Sequence, residues 1–219
     1  MLRFLEMDMS KSYDRVEWEF LENTMRRMGF AEKWVSRVML CVNSVTYFVK
    51  VNDHISGEIK PERGLRQGDP LSPYLFLLCS EVLSAMLMKG LADGALNGIR
   101  INRKAPVISH LFFADDSMFF LKSSTEEANN LKKILTESED LSGQRINKDK
   151  SEISFSRNTS ATDRSSITEI FGVHQVDNHS RYLGLPLLMG QKRTEAFKAL
   201  TEKVWKRTTD WKNKFLLAA

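Results

Sequence analysis

Two adjacent aspartates, Asp115 and Asp116, lie between two short runs of large apolar residues. The runs at 111–113 and 118–121 have the length of buried strands joined by a tight turn, which predicts a hairpin with both carboxylates at its tip. A charged pair on an apolar scaffold loses hydration unless a positive group meets it, and a divalent cation commonly does so. The dipeptide alone also fits a solvated loop, so the choice depends on the other motifs of the chain.

A third aspartate, Asp8, follows a short run at residues 3–7 that is predicted as a strand, which would place Asp8 at the strand's C-terminal end. Further on, Asp14 and Glu17 have the spacing of a capping box that would open a helix ended by Gly29. This pattern favours a helix-capping role for Asp14 over a role as a metal ligand.

A bent segment at residues 63–73, RGLRQGDPLSP, contains two glycines and two prolines around Gln67. The backbone there is predicted to allow close approach by another backbone or by a ligand. Arg63 and Arg66 bring hydrogen-bond donors to a place where a plain turn prefers small polar groups, which favours a binding role for the segment.

The remaining elements are predicted from apolar periodicity and from turn residues. Helices are expected at 31–41, at 74–88 with an end at Gly90, and at 125–141; strands are expected at 45–51, near 57–59 and within 143–155. The second of these helices is almost wholly apolar. Residues 158–166 are rich in serine and threonine and are predicted to form a surface connection.

Composition excludes several classes of protein. The 219 residues, 42% hydrophobic and 27% charged, suit one large globular domain or one domain with part of a second. Cys41 and Cys79 form neither a metal-binding pattern nor a disulfide framework, so an intracellular, reducing compartment is expected. The early acids do not fit a signal peptide, and the apolar run at 74–88 is interrupted by Glu81 and is too short to span a membrane.

Positive charge is concentrated at the end of the chain. The net charge is +4, while residues 191–219 alone carry eight basic and three acidic residues. A basic tail on a near-neutral body indicates a polyanionic partner, although a solvated helix face rich in lysine would have the same composition. His174 and His179 have no acid or cysteine in register and are not expected to bind a metal.

Five motifs, in this order and spacing, resemble the palm motifs of reverse transcriptases, and most of all those of plant non-LTR retrotransposons of the long interspersed element type. They cover nearly the whole chain and are DMSKSYDRVEW at 8–18, RGLRQGDPLSPYLF at 63–76, FADD at 113–116, GQRINKDKS at 143–151 and YLGLP at 182–186.

The resemblance implies a catalytic role for four residues. Asp8, Asp115 and Asp116 would hold two Mg²⁺ ions, with Mn²⁺ as a substitute, one ion activating the primer 3′-hydroxyl and the other holding the triphosphate. Asp115 would be a ligand of both ions. Lys150, or alternatively Lys148, would protonate the leaving pyrophosphate as a general acid.

The resemblance also implies substrate-binding residues. Tyr13 would lie under the incoming sugar and exclude a 2′-hydroxyl, which selects deoxynucleotides. Gln67 and Gly68 would contact the template and the incoming nucleotide, and Arg63 and Arg66 of the same bend are grouped with them. Three further residues match the turn that grips the primer end, namely Tyr182, Leu183 and Gly184.

The sequence therefore predicts an α+β fold, in which a reverse-transcriptase palm with an antiparallel sheet backed by helices occupies residues 1–190. Residues 191–219 would begin a basic helical thumb that contacts backbone phosphates. The expected function is RNA-directed DNA polymerisation, with an RNA template, a DNA primer and dNTPs as partners, no membrane, and a nuclear location implied by the resemblance.

One expectation and two alternatives accompany this prediction. Compared with relatives, the chain begins close to Asp8, so the finger segments are expected to be missing and the chain to be an N-terminally truncated fragment. The first alternative is an inactive relic that acts at most as a nucleic-acid-binding module. The second, a maturase-like splicing cofactor, would share the palm motifs but would need an RNA-binding extension.

Overall fold

The computed structural model describes residues 3–55, 57–122, 124–156, 158–176, 201–202 and 204–209. The chain divides into two compact units, Met1–Asp177 and Asn178–Ala219. In the second unit, the described residues are helical and exposed. The predicted domain boundary at residue 190 stays a prediction.

The first unit contains seven strands and five helices among its described residues. The strands are β1 Arg3–Met9, β2 Lys50–Val51, β3 His54–Ile55, β4 His110–Phe113, β5 Asp116–Leu121, β6 Ile146–Phe155 and β7 His174–Val176. The helices are α1 Trp18–Arg27, α2 Glu32–Asn43, α3 Ser72–Ala92, α4 Thr125–Ser142 and α5 Ala161–Phe171.

Five strands form the main sheet, in the order β4-β5-β1-β6-β7. All neighbouring strands are antiparallel except β6 and β7, which pair in parallel. The central strand β1 alternates buried Leu5 and Met7 with the more exposed Glu6 and Asp8. One face of β1 therefore packs into the core while the other carries acids, and the predicted α+β class with a largely antiparallel sheet is confirmed.

Helix α3 connects the two apolar clusters of the unit. Its first half, with Leu75 and Phe76, packs with α1 and α2. Its second half, with Leu83 and Leu87, packs with α4, α5 and the buried face of the sheet. A helix that takes part in two clusters must be apolar on most of its circumference, which explains why its sequence shows little amphipathic periodicity.

Helix α3 is longer than its sequence indicated. An 18-residue stretch of this 21-residue helix has a mean hydropathy of 1.7, so the helix is long and apolar enough to cross a membrane by length and composition alone, which corrects the expectation that this run is too short. Core helices pass the same test, and α3 packs in both apolar clusters. Gly90 was expected to end the helix but lies inside it, where a Cβ would come within 3.0 Å of the side chain of Ile134 in α4. Gly90 therefore permits close packing of the two helices.

Two other local predictions were wrong. Residues 158–166 were expected to be a surface connection, but they begin α5, whose N-cap Ser160 accepts a hydrogen bond from the amide of Asp163. The strand predicted at 45–51 shortens to Lys50–Val51, which pairs with His54–Ile55 in a small hairpin, and of the residues before it only Tyr47 forms a bridge, to Ile59. β-propensity alone does not extend a strand beyond the residues that pair.

The capping box predicted for Asp14 and Glu17 is also absent. Helix α1 begins at Trp18 with Glu17 as its N-cap residue, and no side chain caps it. The amide of Glu17 instead donates to the carbonyl of Ser142 at 2.9 Å. The other end is as predicted, since Gly29 follows the helix with φ of 85°.

Candidate active site

Asp8 and Asp116 are directly opposite each other on neighbouring antiparallel strands, in the register that pairs Asp8 of β1 with Asp116 of β5. Side chains at such a pair leave the same face of the sheet, with Cβ atoms about 4.5–5.5 Å apart. The structure thus brings together two of the three predicted acids, which are separated by more than one hundred residues of sequence.

The third acid, Asp115, lies on the turn between β4 and β5 and is exposed. The hairpin is the one that the sequence predicted, with both carboxylates at its tip. Its neighbour Ala114 has φ of 53°, a left-handed conformation that costs a non-glycine residue energy. Such local strain is often found at functional turns, where the surrounding fold maintains it.

Negative charge accumulates at this edge of the sheet. Burial raises the pKa of Asp116 above its ordinary value, and repulsion from Asp115, Glu6 and Asp8 raises it further. Glu6 contributes because it lies two residues before Asp8 and so shares the same face of β1. Within the described part of the chain, the influences on the Asp116 carboxylate therefore all disfavour its charged form.

The carboxylates of these acids are suitable ligands for a hard divalent cation. Among the residues that the structure describes, no three acidic, histidine or cysteine side chains already converge around a point that could hold an ion. Asp8, Asp115 and Asp116 nevertheless supply the carboxylate oxygens that Mg²⁺ and Mn²⁺ prefer. A cation between them would also neutralise the charge that raises the pKa of Asp116.

The chain segment after Asp8 is clamped on two sides. On one side, the amide of Ser10 donates to the carbonyl of Arg145 at 2.8 Å, in addition to the bond between Glu17 and Ser142. On the other side, the amide of Leu65 donates to the carbonyl of Tyr13 at 2.8 Å. The motifs at 8–18, 63–76 and 143–151 therefore form one backbone-connected site.

Two glycines allow these backbone segments to approach each other closely. A Cβ on Gly64 would lie 2.8 Å from the carbonyl oxygen of Asp14, and a Cβ on Gly143 would lie 2.6 Å from that of Arg15. Both glycines also have positive φ, of 90° and 75°. By contrast, Gly68 has φ of 84°, and no described atom lies within 4 Å of the position that its Cβ would take, so the space beside it is open to a ligand.

Tyr13 stacks on Phe76 of α3, with ring centroids 4.8 Å apart and an interplanar angle of 7°. Phe76 is almost fully buried, whereas Tyr13 is only partly buried. One face of the tyrosine ring is thus held by the core. Phe76 also lines a small gap next to Met9 and Ala114, so it lies close to the aspartate hairpin as well.

An open cleft of about 510 Å³ lies at the glycine-containing bend and is lined by Arg63, Gly64, Arg66 and Gln67 together with Asp14. Arg63 forms a 3.3 Å ion pair with Glu17. The amide nitrogen of Gln67 donates to Asp14 at 3.4 Å, so the Asp14 carboxylate faces the cleft and does not cap α1. Three of the four predicted substrate-binding residues of the bend, Arg63, Arg66 and Gln67, therefore share one surface.

The two candidate lysines lie in an irregular part of β6 and are exposed. Lys148 reaches toward Gly172 at the end of α5, since its Cδ lies 3.9 Å from the Cβ position of that glycine. That direction favours Lys150 over Lys148 as the candidate acid, and the role of Lys150 stays a prediction. Tyr182, Leu183 and Gly184 lie outside the described residues.

Sequence reasoning missed three features of the site. Phe76 belongs to one of the five motifs but was interpreted only as an apolar helix residue, and Gly143 was not assigned a role, whereas the close backbone approach predicted for the glycine bend is found at Gly64. Ser151, whose hydroxyl accepts a hydrogen bond from the amide of Asp8, was also missed. A glycine inside or next to a charged motif is the kind of signal that could have indicated the close approaches.

Curated proteins with similar sequences include a plant protein and retrotransposon products. An uncharacterized mitochondrial protein of Arabidopsis thaliana is 54% identical over 67 residues, which cover 31% of this chain and 55% of that protein. A Pol polyprotein of a type-2 retrotransposable element of Drosophila melanogaster is 31% identical over 117 residues, or 53% of this chain and 10% of the polyprotein. The chain thus spans about half of the first relative and a tenth of the second.

Solved structures with a similar fold include two structures of telomerase from Candida tropicalis. An apo form truncated from its C-terminal domain matches with a TM-score of 0.55 and 17% identity, covering 73% of this chain and 31% of that one. A complex with a fragment of telomeric RNA matches with a TM-score of 0.57 and 15% identity, covering 85% and 28%. At this identity the likeness concerns the fold.

The family model described as reverse transcriptase (RNA-dependent DNA polymerase) matches residues 2–187, a range that holds Asp8, the glycine bend and the aspartate hairpin. Because this match covers most of the chain, the chain belongs to the reverse transcriptase family.

Proposed function

We propose that this chain transfers deoxynucleotides to a primer 3′-hydroxyl on an RNA template, with two magnesium ions held by Asp8, Asp115 and Asp116. The observation that carries the proposal is the register that places Asp8 opposite Asp116, together with the raised pKa of Asp116. Cations bound between these carboxylates would relieve the repulsion among them, and would supply Lewis-acid activation of the hydroxyl and of the triphosphate.

The other residues bind and orient the substrates. The partly exposed ring of Tyr13 is supported from behind by Phe76 and supplies a flat surface for the incoming sugar. Arg66 and Gln67 line the cleft, where a template base would lie, and the space beside the neighbouring Gly68 is open to the incoming nucleotide. Lys150 is exposed in the irregular part of β6 beside Asp8 and could donate a proton to the leaving pyrophosphate.

Primer extension on a poly(rA) template with an oligo(dT) primer tests the proposal. Asp115→Asn and Asp116→Asn remove charge with little change in volume, and both are expected to lower incorporation of dTTP at least about a hundredfold. Asp93→Asn, at an exposed aspartate that follows α3, is the matched control and should incorporate at the wild-type rate. Incorporation that survives both site substitutions would refute the assignment.

The same preparations distinguish the second candidate function, a nucleic-acid-binding module. The basic residues of 191–219 support this alternative, because cations bind backbone phosphates without reading sequence. It predicts RNA binding that falls steeply with salt and is unchanged by the aspartate substitutions, with no incorporation by the wild-type chain. Salt-dependent RNA binding together with incorporation that depends on the aspartates supports the polymerase.

A further inference from the structure

Strand β6 contains a large bulge next to Asp8. Glu6 of β1 pairs with Glu152, but Asp8 pairs with Asn147, so β6 uses five residue steps where β1 uses two. The extra residues interrupt the regular ladder of hydrogen bonds between the two strands. Bulges of this kind often lie beside active sites, where they redirect a side chain.

The hydroxyl of Ser151 closes this bulge. It donates to the carbonyl of Asn147 at 2.7 Å and accepts from the amide of Asp8 at 3.3 Å. Ser151 is completely buried, with 0% of its surface exposed. The hydroxyl thus supplies an acceptor for the Asp8 amide at the place where the bulge has removed the regular ladder.

Asp8 experiences opposing influences from its two neighbouring strands. On the β5 side it lies opposite Asp116, whose carboxylate repels it. On the β6 side the bond to Ser151 holds its backbone in place. Without that bond, the like charges could move apart by a small shift of β1 that carries the Asp8 carboxylate away from the cation site.

We propose that Ser151 is a positioning residue for Asp8, and that its hydroxyl maintains the backbone geometry from which Asp8 binds a divalent cation. The proposal rests on the proposed function. Ser151 itself is completely buried and therefore out of reach of a nucleotide or template in solvent, so it would act only through Asp8. Partners that orient metal ligands typically change metal affinity by about 10–100-fold when they are removed.

The test measures Mn²⁺ binding to the full chain by the paramagnetic resonance of free Mn²⁺, without polymerisation. Ser151→Ala is expected to weaken binding about tenfold and to speed hydrogen exchange at the Asp8 amide. Ser154→Ala removes the hydroxyl of another buried serine of β6, one that lies opposite Phe4, and should leave both measurements unchanged.

A second pair of variants separates the hydroxyl from packing. Ser151→Thr and Ser151→Val add the same branch at this buried position, and only threonine keeps a hydroxyl. The Ser151→Thr variant is expected to bind Mn²⁺ about tenfold more tightly than the Ser151→Val variant. Equal affinity in the two variants, or wild-type affinity in Ser151→Ala, would overturn the positioning role.

Asp8→Asn distinguishes failure of the positioning role from failure of the proposed function. If Asp8→Asn weakens Mn²⁺ binding while Ser151→Ala does not, only the positioning role is wrong. If Asp8→Asn binds Mn²⁺ as tightly as the wild-type chain, the cation site itself is wrong, and the role of Ser151 fails with it. Weaker binding in both variants, with exchange at the Asp8 amide accelerated in Ser151→Ala, supports both proposals.

Discussion

Asp8 and Asp116 face each other across two antiparallel strands, and the charges of Asp115, Glu6 and Asp8 add to burial in raising the pKa of Asp116. Like charges at such a pair destabilise a sheet. The arrangement is therefore unfavourable for folding by itself and becomes favourable when a cation binds. The stability of the chain and its proposed activity should respond in opposite ways to changes at this pair.

Removing the charge of Asp116 should stabilise the metal-free protein. Asp116→Asn is expected to raise the free energy of unfolding by about 0.5 kcal/mol at pH 7, because it ends cross-strand repulsion. Urea unfolding in the presence of a chelator measures this change. A variant that is less stable than the wild-type chain under these conditions would contradict the electrostatic account.

The same variant should change the dependence of stability on pH. Because the pKa of Asp116 is raised in the folded state above 3.8, the folded protein binds this proton more readily than the unfolded chain. The stability that protonation contributes is present below pH 3.8 and is lost as the pH rises through the raised pKa. The difference in the free energy of unfolding between Asp116→Asn and the wild-type chain should therefore become smaller as the pH falls. Unfolding curves recorded at several pH values measure this difference.

Cation binding should make the wild-type chain more stable than Asp116→Asn, the reverse of the order expected without metal. Added Mg²⁺ or Mn²⁺ is expected to raise the melting temperature of the wild-type chain, since a ligand that binds only the folded state stabilises it. Asp116→Asn should show a much smaller rise. Thermal unfolding with metal, and again with chelator in excess over metal, provides the comparison, and an equal rise in both proteins would count against a site at Asp116.

The stack of Tyr13 on Phe76 should affect the choice of sugar. Phe76→Leu removes the ring that supports Tyr13, and a stacked aromatic pair contributes about 0.5–1.5 kcal/mol beyond its burial. Discrimination against ribonucleotides, measured as the ratio of kcat/KM for dTTP and UTP, is expected to fall by up to about tenfold. Phe171→Leu, in the core at the end of α5, is a control that should destabilise the fold without changing this ratio.

Gly64 and Gly68 offer a matched pair with similar positive φ. Alanine strains the backbone at both positions, by about 1–3 kcal/mol, but only at Gly64 would it also meet the carbonyl of Asp14. Gly64→Ala should therefore be the more destabilising change in urea unfolding. If a ligand approaches Gly68, then Gly68→Ala should weaken template or nucleotide binding more than its effect on stability explains.

The two cysteines should differ in reactivity. Cys41 is exposed and lines the cleft, whereas burial raises the pKa of Cys79 to about 12. Only the thiolate reacts, so at pH 8 about one Cys79 thiol in ten thousand is in the reactive form. We expect a thiol reagent to label one cysteine in the folded chain and two in denaturant. Cys41→Ser should abolish the labelling of the folded chain.

Sequence patterns were sufficient for the features that depend on neighbouring residues. The aspartate hairpin was predicted because two apolar runs of strand length flank a pair of turn-forming acids, and the strand that carries Asp8 was predicted for a similar reason. Gly29 was correctly expected to follow α1, because a left-handed glycine is a local requirement at the end of a helix. Ordered motifs indicated the family and hence the fold.

Tertiary structure decided the features that depend on distant backbone. Asp14 was wrongly assigned to a cap because α1 begins only at Trp18, and the amide of Glu17 before it donates to Ser142, far along the chain. The bulge that Ser151 closes arises only when β6 pairs with β1, and the hydrophobic periodicity of the sequence does not predict it. Which acids repel one another likewise follows from strand register, because pairing sets the distance between charges while the sequence sets only their type.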